Sequence, residues 1–129
     1  MDAVVPEPNI TDYYNQVIEK QRGLDTTRQF FRYFIVPGFS HSIKGGISGT
    51  DYLGSADGTI PASADYIPVA YYDAGLVNVI IDWVEQELPP ETIMATGFNQ
   101  MKAGGILVPD TNQGIRFQRS VELYSNDTY

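Results

Sequence analysis

A single histidine, His41, ends the run Phe30-Phe31-Arg32-Tyr33-Phe34-Ile35-Val36-Pro37-Gly38-Phe39-Ser40-His41. An apolar, strand-like stretch breaks at Pro37-Gly38 and hands an imidazole to a glycine-rich loop containing Lys44-Gly45-Gly46. Imidazole changes charge near neutral pH, so this placement suits a general base. A lone loop histidine with no role is the plain alternative. As a base it would need a nucleophile to deprotonate and a carboxylate to fix its tautomer. Asp2, in a loop bounded by Pro6 and Pro8, is the candidate carboxylate.

The nucleophile is harder to find. Ser40, Ser42, Ser48, Ser55, Ser63, Ser120 and Ser125 all lack the Gly-x-Ser-x-Gly setting between a strand and a helix. Ser40 and Ser42 flank His41 and are ill placed to receive its ring; the rest read as turn and loop serines. One histidine and no cysteine leave only carboxylates for a metal. Asp51, Asp57 and Asp65 do not follow the spacing of a calcium loop. Phosphate-binding glycine motifs are also missing.

The elements that must position these groups begin with Ala3-Val4-Val5, the tail of a strand. A helix over 9–22 follows, with Asn9 as N-cap, Ile10, Tyr13, Tyr14, Val17 and Ile18 at helical spacing, and Gly23 as the stop. Phe31 to Val36 reads as a strand buried on both faces. Strand, helix, strand is the unit that builds a parallel sheet, and parallel strands bring like ends together. That places Asp2 and His41 at one sheet edge, in the order that α/β-hydrolases use after their serine. Residues 43–72 read as a long glycine-rich loop inserted after the histidine, with Tyr52, Tyr66, Tyr71 and Tyr72 in reach of a ligand or simply on an expanded surface. A second helix is capped by Asp73, striped by Leu76, Val77, Ile80, Ile81 and Val84 as core, and ended by Pro89-Pro90. Strands are expected over 92–96 and 115–124, with loops around Ile106-Leu107-Val108.

Composition bounds the function classes. The 129 residues are 43% hydrophobic and 12% aromatic, enough for one domain with a core. A net charge of −8 argues against nucleic acid or an anionic membrane as partner. No apolar run approaches the ~18 residues of a membrane span. Met1 to Pro8 lacks the basic start and apolar core of a signal peptide. Asn9-Ile10-Thr11 and Asn126-Asp127-Thr128 are glycosylation sequons, short enough to arise by chance.

Longer strings carry a resemblance. Asp2-Ala3-Val4-Val5-Pro6 with Thr11-Asp12-Tyr13-Tyr14-Asn15-Gln16-Val17 resembles the acid loop and following helix of the tannase/feruloyl esterase family. The run from Phe30 to His41 is similar to that family's histidine segment. Tyr72-Asp73-Ala74, Asp82-Trp83-Val84-Glu85 and Pro90-Glu91-Thr92-Ile93-Met94-Ala95-Thr96 continue it, and Phe117-Gln118-Arg119 is a weaker echo. The resemblance implies residues 1–129 as part of an α/β-hydrolase domain, a C-terminal portion with parallel strands and crossover helices. It implies a secreted serine carboxylesterase acting on small phenolic acid esters, with His41 as triad base and Asp2 as triad acid. The nucleophilic serine and a lid domain, often carrying structural calcium, precede this segment in the family. The chain by itself therefore needs no cofactor and is expected to be inactive. Family members usually place a cysteine directly after the histidine, bonded to one beside the nucleophile; Ser42 stands there. The competing expectation is a truncated, non-catalytic relative serving as an interaction module, self-associating through exposed sheet edges.

Overall fold

The helix expected over 9–22 forms as α1, Glu7–Lys20, in a computed structural model that describes residues 7–38, 49–60, 75–102 and 108–126. Its start lies before Asn9, which is therefore inside the helix and not its cap. Pro8 fits the first turn, where its missing N–H has no helical partner to lose. At the far end Arg22 takes a left-handed φ of 62°. Its N–H reaches Glu19 O at 3.2 Å while Gly23 N–H reaches Ile18 O at 3.0 Å. These two bonds make a Schellman turn, and Gly23 sits one residue past the left-handed position. The short α2, Leu24–Arg28, follows at once.

The remaining elements are β1 (Tyr52–Ser55), α3 (Leu76–Gln86), β2 (Thr92–Phe98), β3 (Met101–Lys102), β4 (Val108–Pro109), a 3-10 turn (Thr111–Gln113) and β5 (Ile115–Glu122). β1 arises inside the stretch expected as a loop, where Tyr52-Leu53 supplies an apolar pair that β2 can cover. The chain is thus a small α/β structure, but the expected parallel sheet is corrected. The three-stranded sheet has the order β1-β2-β5 with both pairings antiparallel. The reason lies in the connection: β3 and β4 pair antiparallel and continue the β2–β5 hairpin, so the chain returns on itself instead of crossing over. The expected first strand at Val4-Val5 and the cap Asp73 lie outside the described residues.

Phe31 to Val36 is extended but joins the sheet through a single antiparallel bridge, Phe34 with Leu123. It is half-buried, short of the full burial expected, with packing contacts on both faces. Phe31, Tyr33 and Ile35 pack on a core of Tyr14, Ile18 and Tyr124, under α1. Phe34 and Val36 point the other way, onto Ile93, Ala95 and Val121 of the sheet. Period-two alternation therefore splits one hydrophobic run between two cores.

Tyr14 is the centre of the first core, with no exposed surface. Its ring meets Phe31 edge-on at 5.0 Å, Tyr33 at 5.3 Å and Tyr124 edge-on at 5.8 Å, geometries that suit aromatic quadrupoles. Its hydroxyl donates to Phe31 O at 3.1 Å. Burial pushes the Tyr14 phenol above its ordinary pKa, with Arg28 opposing.

The α3 stripe departs from expectation. Only Val79 is buried, while Ile80 and Val84 are 56% and 74% exposed and Leu76 and Leu88 also face solvent. The helix touches β1 through its N-terminus, where Gly75 is held at φ 69° and a Cβ would lie 2.5 Å from Leu53 O. Only glycine fits that approach. Glu87, at φ 55°, ends the helix before Pro89-Pro90. Among the described residues no helix is long and apolar enough to cross a membrane.

Removing the Tyr14 ring tests the first core. Tyr14→Ala should cost about 3–5 kcal/mol, the range for deleting a buried ring. Tyr14→Phe should cost only about 1 kcal/mol, for the hydroxyl bond. Urea denaturation measures both.

Candidate functional site

The segment that leads into His41 is fastened on every side. Backbone bonds run from Tyr124 N–H to Tyr33 O at 2.8 Å and from Leu123 N–H to Glu91 O at 3.3 Å. Arg32 does what a second strand would otherwise do. Its Nη1 donates to Pro90 O at 2.7 Å and Glu91 Oε1 at 2.8 Å, and its Nε donates to Arg28 O at 3.0 Å. The guanidinium also lies 5.3 Å from the Trp83 ring centre, close enough for a cation–π contact. Glu91 is largely exposed, so the ion pair itself adds little; the carbonyl bonds tie α2, the Phe31–Val36 segment and the start of β2 together. Arg28 adds a further tie, Nη2 to Tyr124 O at 2.7 Å.

The chain re-enters at Gly49, buried beside the segment it left. Asp51 N–H donates to Thr96 O at 2.9 Å, and Asp51 Oδ2 accepts from Phe98 N–H at 2.8 Å. Partial burial raises the Asp51 pKa above the ordinary carboxylate value, against the pull of the Phe98 N–H and of Arg116. Arg116 Nη2 donates to Gly49 O at 2.8 Å and Nη1 to Phe98 O at 3.2 Å. Asp51, Thr50 and Arg116 are the residues that reading the sequence for chemistry misses. Their types are ordinary for a turn and a strand, and no spacing signals that they meet.

Asp2 and His41, the predicted acid and base, both lie outside the described residues, as do Ser40, Ser42, Ser48 and Ser63. Of the described serines, Ser55 donates to Asp57 Oδ1 at 2.8 Å and Ser120 to Glu122 Oε1 at 2.9 Å. Both pair with carboxylates, with no histidine described beside them. Bonds from Thr59 N–H and then Ser55 hold exposed Asp57 below the ordinary carboxylate pKa. An open groove of about 300 Å³ lies between α3 and the β1–β2 edge, lined in part by Ser55, Val79, Asp82, Leu88, Pro90 and Glu91. It holds carboxylates without a described base. Among the described residues no three metal-ligating side chains converge.

Asp51 yields a pH-dependent prediction. A raised folded-state pKa means the folded chain binds this proton more readily than the unfolded chain. The charge therefore costs stability above that pKa, and the cost is released as pH falls through it toward the unfolded value. Asp51→Asn keeps an acceptor for Phe98 N–H and should change stability by under about 1 kcal/mol at pH 7. In denaturation between pH 7 and 4, wild type should gain on Asp51→Asn as pH falls; a gain as pH rises contradicts this. Asp51→Ala, leaving the Phe98 N–H unpaired, should cost about 1–3 kcal/mol.

Known proteins supply the context for this frame. The family model described as tannase and feruloyl esterase matches residues 1–120. An Aspergillus terreus protein named "Probable feruloyl esterase B-1" is 33% identical over 104 residues, covering 77% of this chain and 17% of its own length. An uncharacterized esterase of Xanthomonas campestris pv. campestris is 31% identical over 118 residues, covering 82% of this chain and 19% of its own. The chain thus spans under a fifth of the curated relatives it matches. No solved structure matches it at a significant level. With the family model spanning nearly the whole length, the chain belongs to the tannase and feruloyl esterase family.

Proposed function

We propose that these residues supply the acid and base of a serine carboxylesterase that hydrolyses phenolic acid esters, within an α/β-hydrolase domain. The observation that carries this is the family match across residues 1–120, which takes in both Asp2 and His41. In this reading a serine from another part of the domain attacks the ester carbonyl. His41 takes its proton and returns it to the leaving alcohol. Asp2 orients the imidazole and stabilises its cation. The firm anchoring of 31–38 suits such a base, because a triad tolerates little misplacement. The reading makes the chain the C-terminal portion of a secreted enzyme, and the chain alone inactive for want of an activated nucleophile.

A second reading, an interaction module that self-associates, gains one specific observation. The apolar face of α3, running through Leu76, Ile80 and Val84, is uncovered among the described residues, as is Leu88 just past the helix. Such a stripe favours burial against another surface. Sheet edges favour it less, because β5 carries the exposed Arg119, and charge blunts edge pairing.

Replacing the matching segment of a feruloyl esterase relative with residues 1–120 tests the first reading. The chimera should hydrolyse a phenolic ester, and His41→Ala should lower kcat/KM by about 10³-fold or more. A folded, active chimera indifferent to His41→Ala contradicts the reading. For the second, light scattering on the chain should show association that Ile80→Ser with Val84→Ser abolishes.

A further inference from the structure

Asp57-Gly58 is the one Asp-Gly pair in the chain, and Asp57 is exposed just past the end of β1. Such a pair is chemically labile, because a glycine without a side chain leaves its nitrogen open to the preceding carboxyl. Ring closure joins the Gly58 nitrogen to Asp57 Cγ and expels the carboxyl hydroxyl and the amide hydrogen as water. Water then reopens the five-membered imide at either carbonyl. Opening on the Cα side routes the main chain through the Asp57 side chain, an isoaspartyl bond with one extra methylene in the backbone.

The folded turn opposes that closure at each of its requirements. Gly58 N–H, the nucleophile, donates to Ser55 O at 3.0 Å, closing a β-turn over residues 55–58. Neither Ala56 nor Asp57 has a positive φ, while Gly58 follows at φ 72°, so the turn is type I. A type I turn holds ψ near zero at Asp57, away from the eclipse of Cβ with the Gly58 nitrogen that the ring needs. The carboxylate is also turned to other donors. Its Oδ1 accepts from Ser55 Oγ at 2.8 Å and from Thr59 N–H at 2.9 Å. The Thr59 and Ser55 bonds hold it below the ordinary carboxylate pKa and so withdraw the neutral acid, the form that can lose its hydroxyl. Gln118 Nε2 donates to Gly58 O at 2.7 Å and ties the turn to β5.

We propose that Asp57-Gly58 is a latent modification site: an aspartate whose isomerisation the 55–59 turn suppresses in the folded chain and releases on unfolding. The product belongs to the substrate class of carboxyl methyltransferases that recognise isoaspartate. The added methylene lengthens the path between Ser55 O and Gly58 N–H and displaces Gly58 O from Gln118. A modified chain therefore loses the turn that protected it, and molecules that have dwelt unfolded carry a covalent mark at residue 57.

Ageing the full chain at neutral pH, folded and in urea, tests this. Isoaspartate is counted by labelled methyl transfer from S-adenosylmethionine with an isoaspartate-specific methyltransferase. Asp57→Glu assigns the signal to residue 57, because the longer side chain closes its ring far more slowly. In urea the signal should grow about tenfold faster than in the folded chain, and Ser55→Ala should raise the folded-state rate about fivefold, the factors that hydrogen bonds of ordinary strength supply. Gln118→Ala should act in the same direction. Equal rates folded and in urea overturn the proposal, as does a folded Ser55→Ala no faster than wild type. A signal in urea that Asp57→Glu leaves undiminished overturns it too. Should Ser55→Ala fail to fold, Gln118→Ala decides in its place.

Discussion

The constraint on which the structure depends is that one extended segment, Phe31 to Val36, is half-buried and packs against a core on each side while having almost no strand partner. Its odd residues belong to the α1 core and its even residues to the sheet core. Neither core closes without it. A segment so placed loses part of its water on both faces, and the backbone polar groups it buries need partners within the protein. Beside the bridge of Phe34 with Leu123, Tyr33 O accepts from Tyr124 N–H and Phe31 O from the Tyr14 hydroxyl.

Arginine braces the backbone around it. Arg28, Arg32 and Arg116 all direct guanidinium donors at backbone carbonyls: Tyr124, Arg28 and Pro90, Phe98 and Gly49. A guanidinium offers five N–H donors in a rigid fork and no acceptor, which matches irregular backbone rich in unpaired C=O. In a chain with only eight basic residues, three serve in this way. Arg28 and Arg32 make a junction of α2, the segment from Phe31 to Val36, the start of β2 and the residues after β5, while Arg116 ties Gly49 to the end of β2. Arg28 Nε is buried there without an acceptor, a small polar cost inside an otherwise satisfied junction.

Local physics made some of this legible in sequence. The i, i+3, i+4 pattern of Ile10, Tyr13, Tyr14, Val17 and Ile18 marks α1, and the apolar run from Phe31 to Val36 marks two-sided packing, though not full burial. Thr92 onward reads as a strand because β-branched and apolar residues alternate there. The sheet's direction was not legible, since antiparallel pairing follows from the β3–β4 ribbon, two residues per strand, too short to leave a periodic signal. The α3 stripe shows the limit of pattern reading in the other direction: its spacing reveals an apolar face but not whether these residues cover it. The braces at Thr50, Asp51 and Arg116 depend on side-chain contacts between positions 13 to 67 apart and on a bulge, neither of which residue types announce. For the site, the family strings indicate which residues matter, whereas the described geometry shows what steadies the chain on either side of them.

Native-state hydrogen exchange on two amides tests the central claim, that the segment leading to His41 is integral to the fold. Tyr124 N–H, bonded to Tyr33 O, and Thr50 N–H, bonded to Gly38 O, report the two ends of that segment. If the segment joins the two cores, both amides should exchange only through global unfolding, with opening free energies equal to that from denaturation. Exchange of either amide through local opening, at a free energy well below the global value, would contradict the account.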